Sequence, residues 1–79
     1  MTLAAQCLIE IQTVFPKADG RVNKDTAEII APDPNRPTSE IVLGSGRTFD
    51  AAAVRAVLFL GKRNPEFAKR SAIYSDWIA

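Results

Sequence analysis

Five consecutive residues, Gly44-Ser45-Gly46-Arg47-Thr48, are of types that could hold an anion. Glycines free a backbone to turn its N–H groups inward, a helix start favours negative charge, and Arg47 would add a charge-assisted donor. Phosphate is the ligand that such a run would take. The run lacks the Walker lysine and the third glycine of a dinucleotide-binding loop. Asp50, close by, would also repel an anion. A strand-to-helix connection with an ordinary cap explains the same residues with fewer assumptions.

Catalytic chemistry finds little to work with. The chain has no histidine and one cysteine, so an imidazole base, a Cys/His zinc site and an intrachain disulfide are all excluded. Cys7 sits among apolar residues with no cationic neighbour in sequence, the setting of a buried, inert thiol. Glu10, Asp19, Asp25, Glu28, Asp33 and Glu40 are scattered through polar stretches, where nothing would raise a carboxyl pKa for acid catalysis. The segment Asp19–Asp25 fails as a calcium loop. Arg21 takes a ligand position, Lys24 replaces the glycine, and Ile30 stands where the bidentate glutamate belongs. No enzyme, metal or cofactor is expected.

Recognition is better supplied. The formal charge is +1, but it is divided unevenly. Residues 44–79 carry six basic groups (Arg47, Arg55, Lys62, Arg63, Lys69, Arg70) against three acidic ones, a net +3, whereas residues 1–43 carry four against six. A nucleic-acid binder would set those six cations on phosphates. The excess is modest for that task, and the last helix offers no Asn or Gln for base edges. The other reading is a solvated charged rim.

Aromatic residues gather near the C-terminus. On a helix, Phe67, Tyr74 and Ile78 share a line, Ile73 and Trp77 lie further round, and Arg70 falls between Tyr74 and Trp77. An arginine flanked by large rings has the composition of protein–protein hot spots. Alternatively, Trp77 closes the core and Arg70 lies over it.

These groups need elements to position them. Leu3, Cys7, Leu8, Ile11, Val14 and Phe15 share one helical arc, with only Ile9 outside it, so a helix is expected over residues 2–15, capped by Thr2. Strand formers in the same stretch argue otherwise, but alternation fails at Leu8-Ile9 and Val14-Phe15. Residues 16–26 read as a polar loop. Two short antiparallel strands follow, Ala27–Ala31 and Glu40–Leu43. Pro32, Pro34 and Pro37 stiffen their connection into a long exposed tip carrying Arg36.

A second helix should run from Thr48 or Asp50 to Gly61 at C′, apolar on most sides and therefore central. After a tight turn, Asn64 and Pro65 start a last helix reaching about Ile78. The expected architecture is α+β in a single compact domain over residues 1–79: helix, β-hairpin, then two helices joined by a tight turn. The last two resemble a helix-turn-helix in length and turn composition, without a diagnostic sequence motif.

The chain begins without a basic, small-residue leader, and the apolar run at 51–60 would cover only about 15 Å as a helix. With one unpaired thiol, a cytoplasmic protein that spans no membrane is expected. The functional expectation is a small, non-catalytic protein-binding module. It would be an inhibitor, adaptor or assembly subunit, of the size found in phage or mobile elements, that covers a partner surface or forms a homodimer. Its contact residues would be Arg70, Ile73, Tyr74, Trp77 and Arg36. The alternative is a DNA- or RNA-binding regulator using the basic C-terminal pair.

Overall fold

A computed structural model describes the backbone of residues 2–71 and the side chains of residues 2–69. The order is α1 (Leu3–Gln12), β1 (Asp19–Asn23), β2 (Thr26–Asp33), β3 (Arg36–Gly46), α2 (Phe49–Arg63) and α3 (Pro65–Ser71). The α+β class holds, with three strands rather than two.

Helix α1 forms where apolar spacing puts it. The Thr2 hydroxyl accepts from the Ala5 N–H at 3.1 Å, and Asp50, from the first turn of α2, accepts from the Ala4 N–H at 2.9 Å. Two of the orphan donors at this helix start are thereby satisfied, and the second bond ties α1 to α2. Cys7 and Ile11 are buried, whereas Ile9, off the arc, is 51% exposed. The helix stops at Gln12, short of the expected residue 15.

The sheet is an antiparallel meander in the order β1-β2-β3. Strand β1 lies inside the segment read as a loop. Its burial is slight, because Val22 is its one large apolar residue and is exposed. Backbone pairing to β2, closed by a two-residue turn at Lys24-Asp25 with Lys24 at φ 58°, holds it in place.

The proline-rich tip is likewise shorter than expected. Its turn is only Pro34-Asn35, where Asp33 Oδ1 accepts from the Asn35 N–H at 2.9 Å. Pro32 stays in β2 because β1 ends opposite Ile30, leaving β2 a neighbour on one side only at that point. Pro37, Thr38 and Ser39 bulge between Arg36, which pairs with Asp33, and Glu40, which pairs with Pro32.

Helix α2 is central, as its all-round apolar character predicts. Ala52, Ala53, Val54, Ala56, Val57 and Leu60 are buried against Ala27, Ile29, Ala31 and Leu43 of the sheet and Cys7 and Ile11 of α1. Thr48 caps it, accepting from the Ala51 N–H at 3.1 Å. Gly61 does not end the helix. The ladder continues to Arg63, and Asn64 alone separates α2 from α3. Asn64 Oδ1 then accepts from the N–H groups of Glu66 and Phe67 (3.1 and 3.3 Å), with Pro65 at the first helical position. One intervening residue is too few for the three- or four-residue turn of a helix-turn-helix.

Candidate interaction surface along the third strand

The Gly44–Thr48 run is not an anion loop. Gly44 and Gly46 are the last inward positions of β3, pressed against α2. A methyl group on Gly44 would collide with the Ala52 carbonyl oxygen and lie 2.5 Å from the Ala56 nitrogen. One on Gly46 would lie 2.8 Å from the Ala51 Cβ. These glycines exist to let a helix approach a strand.

That close approach fixes where the exposed side of α2 falls. The helix packs on β3 and to a lesser extent on β2, with α1 on its other flank. Successive steps of 100° put Arg55, Phe59 and Lys62 on the strip turned away from α1, and Arg63 next to it. The contacts agree. Arg55 donates to the Ser45 carbonyl at 2.8 Å, and Arg63 lines a shallow apolar groove with Phe15, Ile41, Val42, Leu43, Phe59 and Leu60. The Arg63 guanidinium carbon stands 4.7 Å from the centre of the Phe59 ring, within range of a cation–π attraction. Below this strip runs β3, which among the described residues pairs with β2 on one side only.

Charge on this flank has one sign. Asp50 is the only acidic residue of α2, and it faces α1 through its bond to Ala4. Arg47, Arg55, Lys62 and Arg63 form no ion pair among the described residues. Lys62 and Arg63 also occupy the last turn of α2, where cations are favoured by the helix dipole. The outer face of the sheet is different. There Arg21 bridges Glu28 at 3.1 Å and Glu40 at 2.9 Å. The hydrogen bond to Glu28, with help from Glu40, holds the Arg21 guanidinium above its ordinary pKa despite some desolvation.

Of the residues expected to act, four of the six basic ones (Arg47, Arg55, Lys62, Arg63) come together beside β3. Lys69 is exposed on α3, which also carries the exposed Glu66. Arg36 is exposed at the opposite end of β3 from Arg47. The Arg70 side chain and Ile73, Tyr74 and Trp77 lie outside the described residues. Sequence reasoning missed Phe59, Ile41 and Val42 as surface residues. Phe59 is 38% and Val42 48% exposed. The only signal was the position of Phe59 one helical turn from the charged Arg55.

No group of three or more metal-ligating side chains occurs among the described residues, and no helix there is long and apolar enough to cross a membrane. Cys7 is buried. Comparison with protein-family models, curated proteins and solved structures finds no match.

Proposed function

We propose that this chain is a small, non-catalytic protein-binding module of the cytoplasm that works by covering a surface of another protein, as an inhibitor, adaptor or assembly subunit. The observation that carries this reading is the continuity of β3, whose outer edge pairs with no strand among the described residues, with exposed Phe59 and Val42 in one groove. An open edge beside uncovered apolar side chains is a liability unless something pairs with it. The residue types and their spacing offer binding and no chemical step.

Site-specific photo-crosslinking tests it. A benzophenone side chain in place of Phe59 should give a discrete protein adduct in cells of the native source. The same group in place of Val22, exposed on β1, should not. Equal, diffuse labelling from both positions would sink the proposal.

A second reading has one observation in its favour, the gathering of four cations along α2 and its approach. As a nucleic-acid binder the chain would lose affinity for generic duplex with a log–log salt slope of about −3 to −4, near 0.9 per phosphate neutralised. A slope near zero would exclude it.

A further inference from the structure

We infer that the β3 edge receives an extended acidic segment of another protein as a fourth strand, with the pattern acidic-x-apolar-x-acidic. This deepens the protein-binding reading and rests on it. Arg55, Phe59 and Arg63 stand at i, i+4 and i+8 on α2, so the two cations are about 12 Å apart along the helix with the ring midway. In an extended chain, residues i and i+4 are about 13–14 Å apart and share one face with i+2 between them. A strand beside β3 therefore places one apolar side chain on Phe59 and, two positions to either side, carboxylates on Arg55 and Arg63. Backbone hydrogen bonds would come from β3 around Ile41–Leu43. The Arg55 bond to the Ser45 carbonyl marks where they stop.

Charge decides the occupant. A symmetric pairing of two copies brings each patch against itself, and here that sets Arg47, Arg55, Lys62 and Arg63 against like charge. The same cations that deter self-pairing attract an acidic strand.

The probe is a blocked seven-residue peptide, threonine-glutamate-threonine-valine-threonine-glutamate-threonine, titrated into the full chain by NMR at low salt. Controls carry lysine for glutamate, or place both glutamates one position nearer the valine. Backbone amides of Ile41–Leu43 should shift and exchange more slowly, with affinity at least about tenfold above either control. Arg63→Glu should abolish that preference. A peptide with lysine in place of the facing glutamate should restore binding to this variant, which loss of folding would not allow. Equal response to all peptides, or none, overturns the inference. So do tighter binding of oligothymidylate at the same amides, protection of those amides in the free chain, and a concentration-dependent dimer by sedimentation. A protein adduct at position 59 without the acidic preference leaves the broader reading standing and removes this one.

Discussion

The inner face of the sheet is made of small residues and the outer face of large and charged ones. Inside, Ala27, Ala31, Gly44 and Gly46 meet Ala51, Ala52 and Ala56 of α2, with Ile29 and Leu43 as the main bulk. Outside stand Arg21, Glu28, Ile30, Glu40 and Val42, and no element covers them among the described residues. A small chain gains most by packing tightly, and small residues permit the shortest helix–sheet distance. The consequence falls on the margins. Once the centre is filled by alanine and glycine, Phe59 and Phe49 have no interior volume left and stay 38–39% exposed.

The sharpest way to break this contrast is to add one carbon at the closest approach. Gly44→Ala forces a methyl group into backbone atoms of Ala52 and Ala56, which cannot swing aside. A loss of at least about 3 kcal/mol in urea unfolding is expected, the upper end of the overpacking range. Gly20→Ala is the control. Its methyl group would lie 2.8 Å from the ring of Phe49, a side chain 39% exposed and able to move. That variant should stay within about 1 kcal/mol of the parent, helped by a less flexible unfolded chain. Similar losses from both would show that α2 does not hug the strand.

Next in size is deletion of bulk on each face. Ile29→Ala empties space at a residue 2% exposed and should cost about 2–5 kcal/mol. Val42→Ala on the outer face removes a half-wet side chain and should cost no more than about 1 kcal/mol. If the Val42 variant lost as much as the Ile29 variant, the outer face would be buried in the molecule as it exists in solution.

What could be read from the sequence follows the same division. Helix α1, its Thr2 cap and the Asn64-Pro65 start announce themselves through local chemistry and hold, and of the two caps open to α2, Thr48 and Asp50, the structure uses Thr48. Strand β1 does not, because Asp19–Asn23 buries almost nothing and is held by backbone pairing, which leaves no periodic trace. The prolines misled for a related reason. Proline is excluded from a strand with two neighbours, but Pro32 lies beyond the end of β1 and Pro37 in a bulge. Gly61 signals a helix end that the continuing ladder overrides. In the candidate surface, the cations were visible by type. Their alignment with Phe59 depends on which side of α2 meets β3, and that is set by Gly44 and Gly46 through tertiary contact.

The smallest expected effect concerns Arg21, and it separates organisation from stability on the outer face. Arg21 joins Glu28 and Glu40 across all three strands. Exposed ion pairs gain little, since water and salt screen them and long side chains lose freedom in forming them. Arg21→Gln should therefore move the urea midpoint less than Val42→Ala does, and only at low ionic strength. Near 1 M salt, with a screening length of about 3 Å, the variant and parent should unfold together. The raised Arg21 pKa carries its own sign. Any stability it adds is fully present below the ordinary arginine range and fades only as pH rises through and above it, so titration of this group adds no pH dependence between pH 6 and 9. A salt-resistant loss from Arg21→Gln larger than that from Val42→Ala would mean that the outer face is packed rather than merely decorated, and the division between the two faces would fail.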